Sequence, residues 1–193
     1  VLRSPDSFRL VLWRWVVVCM SVGCVSCLVS WAFSEMSAAL AVPFYAPLIE
    51  EILKALVALC AMRLFRIVFF AEALCYGAAI GAGFSLVENI IYIYFSPDML
   101  FATALFRGLG TSMLHIGCSS LFLVLWLLAK NNSWKYVFRL WGILPCILIH
   151  ALYNLHHFQP LVQMVAVVVI FFVIFLCVSN YNEKCIGKWL DLS

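Results

Sequence analysis

The chain has 193 residues, 66% of them hydrophobic and 11% charged, with a formal net charge of +3 and a mean hydropathy of +1.09. A soluble domain is roughly 45–50% apolar and about 25% charged, so this chain cannot cover itself with a water-facing surface. That excludes a soluble globular domain, a disordered tail, a coiled coil and a nucleic-acid-binding module, and leaves a membrane-embedded protein.

Six apolar stretches follow one another: Leu10–Phe33, Leu40–Met62, Ile67–Phe95, Met99–Ala129, Tyr136–His157 and Leu161–Ser179. At about 20 residues per span, six helices take roughly 120 residues, close to the hydrophobic fraction. The expected fold is therefore all-α: a polytopic transmembrane bundle of six spans, a single integral membrane domain over 1–193 with its motif-bearing core at 40–158. The first stretch has the basic start of a signal peptide, but its apolar run exceeds the roughly 7–15 residues usual there and reads as a retained span. The third and fourth are longer than a span requires, which predicts tilt or kinking.

Basic and non-basic connections alternate. Arg3 and Arg9 precede the first stretch with Arg14 at its membrane edge, Arg63 and Arg66 follow the second, Lys130, Lys135 and Arg139 follow the fourth, and Lys184 and Lys188 lie in the tail. The connections between hold no Lys or Arg. The positive-inside rule then predicts both termini in the cytoplasm. Trp134 and Tyr136 read as interfacial anchors, and so do His156 and His157. Eight of the nine cysteines lie in apolar runs, where free Cys acts as a small hydrophobe; Cys24 and Cys27 have CxxC spacing but no second pair or histidine nearby.

The informative residues are those that are costly in a membrane. The second stretch holds Glu50, Glu51 and Lys54, the third Glu88 and Asn89, the fourth Arg107 and His115, and the fifth His150 and Asn154. A charge at a helix centre costs roughly 2.5–3.5 kcal/mol on insertion scales, so such residues face a bundle interior or a water-filled cavity. Counting about 1.5 Å per residue, Glu50, Glu88 and His150 fall in one layer of the outer half of the bilayer; His115 joins it only if the fourth span starts near Leu105. Glu50 and Lys54 are i, i+4, a spacing that favours pairing, with Glu51 turned about 100° away. Gly77, Gly81, Phe84 and Glu88 share one stripe, its glycines making a small-xxx-small contact. Arg107 is expected to snorkel to the interface or pair with Asp98. Carboxylates and imidazoles around a cavity suit hydrolysis, metal ligation or a proton relay, and the residues alone leave all three open.

Glu50-Glu51-Ile52-Leu53-Lys54 matches EExxK. Phe84 to Asn89 matches FxxxEN, His115 stands on the next stretch, and His150 to Asn154 matches HxxxN. In this order, across four successive stretches, the motifs resemble the PrsW family of intramembrane proteases, grouped with the CAAX prenyl endopeptidases and bacteriocin-processing enzymes. The resemblance implies a glutamate-dependent membrane protease of the bacterial cytoplasmic membrane. It implies Glu50 or Glu51 as general base, Glu88 sharing a proton or orienting the water, His150 and Asn154 as the oxyanion site, and His115 assisting, with Lys54, Asn89 and Phe84 in support. Its substrate would be a single-span membrane protein such as an anti-sigma factor, cut near the outer side. The expected partners are that substrate and the lipid bilayer, with no nucleic acid. No cofactor is indicated, and metal dependence stays open. The rival readings are a catalytically silent scaffold or chaperone of the same superfamily and a small proton-coupled transporter.

Overall fold

The computed structural model describes residues 5–36, 44–65, 67, 70–95, 100–129, 137, 139, 141–155, 161–169, 171, 172 and 176. They form an all-α bundle. Helix α1 runs Pro5–Met36, α2 Tyr45–Phe65 and α3 Phe70–Phe95. Helix α4 (Leu100–Phe106) passes through a π turn at Arg107–Thr111 into α5 (Ser112–Leu128). Helix α6 is Ile143–Leu155, and residues 161–169 are helical. Pro47 and Pro145 sit in the first turns of α2 and α6, where a missing N–H costs no helical hydrogen bond.

The expectation of six spans is corrected. Among the described residues three helices are long and apolar enough to cross a membrane: Trp13–Phe33, Phe70–Phe95 and Ala104–Leu128. Helix α2 has sufficient length, but Glu50, Glu51, Lys54 and Arg63 break its apolar character. Helix α6 has 13 residues, about 20 Å at 1.5 Å per residue, against a hydrocarbon core of about 30 Å. An apolar stretch in the sequence is thus not the same thing as a spanning helix here, and the cytoplasmic placement of both termini, read from the alternating basic connections, concerns ends that lie outside the described residues. Trp134, Tyr136, His156, His157 and Asp98 lie outside the described residues.

Helix α3 is central, packed chiefly between α1 and α5. The reason is local. A Cβ at Gly81 would collide with the backbone of His115 and Ile116, and one at Gly77 with that of Ser119 and Ser120. On the other side Gly83 meets the backbone of Met20, and Gly23 of α1 meets that of Ile80. Small residues let backbones approach closely where the hydrophobic effect gives helices no reason to associate. Ser120 Oγ donates to Leu74 O at 3.2 Å across the α3–α5 seam. Below these contacts lies the apolar core, with Ala58, Tyr76, Ile80, Leu114, Leu123 and Cys146 at its centre. Outward, Val17, Val25, Leu56, Leu86, Ile90 and Leu148 are exposed, as a lipid-facing surface requires.

Candidate active site

Four helices bring their polar residues to one place. Helix α2 contributes Glu50, Glu51 and Lys54, α3 Glu88, α5 His115 and α6 His150. Lys54 is buried (1% exposed), as are Glu51 (3%), His115 (0%) and His150 (2%). The ammonium of Lys54 donates to Glu51 Oε1 at 2.6 Å and to His115 Nδ1 at 2.8 Å. The pairing is therefore i, i+3 with Glu51, and the expected i, i+4 pairing with Glu50 is not the one made. His150 Nδ1 donates to the same Glu51 oxygen at 2.8 Å.

These bonds fix the histidine tautomers, because a carboxylate only accepts and an ammonium only donates. His115 receives Lys54 at Nδ1 and donates from Nε2 to Glu88 Oε2 at 2.7 Å. His150 keeps its proton on Nδ1, so in the neutral ring Nε2 presents a lone pair. That atom lies 3.6 Å from Glu50 Oε2, which is itself buried and has no hydrogen-bond partner among the described residues. The two imidazoles stand edge to face, 5.0 Å between centroids at 85°. Phe84 closes the cluster on its apolar side, 4.9 Å from the His115 ring and 4.8 Å from the Lys54 ammonium.

Of the residues singled out from the sequence, Glu50, Glu51, Lys54, Phe84, Glu88, His115 and His150 thus converge. His115 joins them through its bonds to Lys54 and Glu88. Asn89 turns aside and donates to Ser112 Oγ at 3.0 Å, tying α3 to the start of α5. Asn154 lines a cavity with Glu50 and Glu88 rather than joining the hydrogen-bonded cluster.

Arg107 makes a pair that sequence reasoning did not give it. Its guanidinium lies 2.9 Å from Glu88 Oε1 and stacks on the Tyr92 ring at 3.5 Å from the centroid. The π turn places it there: the Ser112 N–H reaches back to Arg107 O, and one such turn rotates α4 relative to α5. The Gly108-Leu109-Gly110 run was the available signal, since π turns gather at functional sites. Tyr153 and Gln163 were also missed. Tyr153 Oη shares a hydrogen bond with Thr111 Oγ1 at 3.3 Å, and Gln163 Nε2 donates to Tyr153 O at 2.7 Å.

Two cavities meet at the cluster, both lined by Ala46, Glu50, Glu88 and Tyr92. One, about 390 Å³, is completed by residues such as Cys27, Trp31, Ile91 and Phe95. The other, about 460 Å³, is completed by residues such as Arg107, Thr111, Tyr153, Asn154 and Gln163.

Glu50, His115 and His150 can each bring one ligand atom within 4.8 Å of the others. A carboxylate with two imidazoles is a zinc-type donor set. The partnerless Glu50 Oε2 fits such an ion, as does His150 Nε2, whose ring is oriented from behind by Glu51 as metal-bound histidines usually are. His115 would serve as a ligand at Nδ1 by releasing its bond from Lys54.

No curated protein and no solved structure matched the chain. The family profile described as PrsW family intramembrane metalloprotease matches residues 8–178. With its spanning helices and its clustered Glu, His and His, the chain is an integral, multi-spanning membrane peptidase, and it belongs to the PrsW family of intramembrane metalloproteases.

Proposed function

We propose that the protein hydrolyses a peptide bond in a membrane-anchored protein, with Glu50 as the group that takes the proton from the attacking water. The observation that carries this is the state of Glu50: its Oε2 is buried without a hydrogen-bond partner among the described residues, and the residue lines both cavities. Every other carboxylate of the cluster is occupied. Glu51 accepts from Lys54 and His150, and Glu88 is held by His115 and Arg107.

The roles follow from the bonds. Water in the cavity gives a proton to Glu50 while its oxygen attacks the substrate carbonyl carbon. Asn154, one turn after His150 and on the wall of the larger cavity, carries an amide N–H suited to the developing oxyanion. The C–N bond then breaks, and Glu50 returns the proton to the leaving amine. Glu51 is a positioning residue. It holds His150 Nδ1, which turns Nε2 toward Glu50, and it anchors the Lys54 ammonium beside His115. Glu88 and Arg107 hold the opposite wall. A divalent ion bound by Glu50, His115 and His150 would polarise the carbonyl and make its bound water more acidic, and Glu50 would then act as a ligand in place of its role as base.

The test is reconstitution in liposomes with single-span peptide substrates, the products read by mass spectrometry. Wild-type protein is expected to cleave, and Glu50→Gln to lose about 10²–10⁴-fold in rate, the usual contribution of a general base. Substrate bound by wild type but never cut would overturn the proposal in favour of a silent scaffold.

A further inference from the structure

A peptide bond inside a helix is shielded by the helix's own hydrogen bonds. In a membrane every backbone polar group must be satisfied internally, unless it lies in protein or a watery cavity. A membrane peptidase must therefore supply partners to a short unwound stretch of its substrate. The two cavities here differ in that capacity. The smaller is bounded by Cys27, Ser30 and Trp31 of α1 and by Ile91 and Phe95 of α3, with Trp31 and Phe95 exposed at its rim. Its surroundings are largely apolar. The larger presents the Tyr153 hydroxyl, the Gln163 amide, Asn154 and the guanidinium of Arg107. Arg107 Nε is buried and has no hydrogen-bond partner among the described residues, although a guanidinium carries five N–H donors. Between the chambers stand Glu50 and Glu88.

Resting on the peptidase reading above, we propose that the two chambers are halves of one substrate cleft. The α1–α3 chamber takes a large apolar or aromatic side chain on one side of the scissile bond. The Arg107–Tyr153–Gln163 chamber takes an unwound, polar backbone segment on the other, with Arg107 Nε donating to a substrate carbonyl. Glu50 and Glu88 beside Arg107 make a neutral acceptor a better match there than an acidic side chain. The two chambers thus set specificity on both sides of the scissile bond, apolar or aromatic toward α1 and polar or glycine toward Arg107.

The probe is a library of synthetic single-span peptides, each an apolar run of about 20 residues followed by ten randomised residues, in phosphatidylethanolamine–phosphatidylglycerol vesicles. Wild-type cuts are expected to fall at the junction, with Phe, Leu or Trp on one side and polar residues or glycine on the other. Ser30→Phe, which fills the apolar chamber, is expected to shift preference toward Ala or Gly at that position by about tenfold or more. Trp31→Ala, which enlarges it, should shift preference the other way if Ser30→Phe does not fold. Arg107→Gln should raise KM more for junction substrates with flexible polar segments than for fully apolar ones. Cuts spread through the apolar run, or preferences unmoved by both α1 variants, would overturn the cleft.

Photo-crosslinking in the Glu50→Gln protein separates this proposal from the one beneath it. A reactive group on the apolar residue should label the 27–31 region, and one on the polar segment should label 107–111 or 161–169. Segregated labelling without hydrolysis by wild type would sink the peptidase reading and keep the cleft. Hydrolysis with unsegregated labelling would do the reverse.

Discussion

The two halves of helix α3 are built differently. From Phe70 to Ser85 it holds all of its buried residues, among them Gly77, Ile80, Gly81, Gly83 and Phe84. From Leu86 to Phe95 none is buried; instead Glu88, Ile91, Tyr92 and Phe95 line cavities. In the first half, helix backbones touch and leave no room for water or substrate. In the second, they part, and polar side chains bridge the gap. The close-packed half fixes where His115 stands on α5, and the open half uses that fixed point: His115 holds Glu88.

The largest expected effect breaks the packed half. Gly81→Leu would force α5 away from α3 at His115; overpacking against backbone costs about 3 kcal/mol or more, and detergent-solubilised protein should fail to give a monodisperse, cooperatively melting species. Next comes the buried pair in the site. Lys54→Met leaves Glu51 an uncompensated buried charge, a loss of about 3–5 kcal/mol that thermal melting would register. Adding Glu51→Gln to that variant should recover part of it, and a strictly additive double mutant would disprove the coupling. The smallest effect sharpens the open half. Tyr153→Phe removes one hydrogen bond to the π turn at Thr111, worth about 0.5–1.5 kcal/mol. It should alter cleavage more than melting, because the variant keeps the ring that packs against the core and loses only a hydroxyl of a residue lining the larger cavity.

Much of the site was legible because a membrane makes charges conspicuous. Glu50, Glu51, Lys54, Glu88, His115 and His150 stand out from apolar neighbours, and EExxK, FxxxEN and HxxxN place them in register. Helical phase also anticipated the Gly77–Gly81 contact. What was not legible depends on partners from other helices. Phase favoured Glu50 for Lys54, yet the ammonium joins Glu51, the carboxylate that His150 also holds, and reaches His115 on a third helix. The place of Arg107 in the chain pointed to the interface or to Asp98, whereas its pair with Glu88 depends on a π turn and on a residue of α3. The six-span count failed because apolar length does not register the charges of α2 or the short reach of α6.

The sharpest distinction in the site is between two adjacent glutamates, one free to act and the other holding its neighbours in place. Single-turnover cleavage by Glu50→Gln and Glu51→Gln, run beside thermal melts of both, tests it most directly. Glu50→Gln should melt at or above the wild-type temperature, since it replaces a buried carboxylate oxygen that has no hydrogen-bond partner among the described residues with an amide able to donate toward His150 Nε2, and cleave about 10²–10⁴-fold more slowly. Glu51→Gln should melt lower, because the buried Lys54 ammonium loses its counter-charge. A Glu50→Gln protein that cleaves at the wild-type rate, or a Glu51→Gln protein with unchanged stability, would contradict the account.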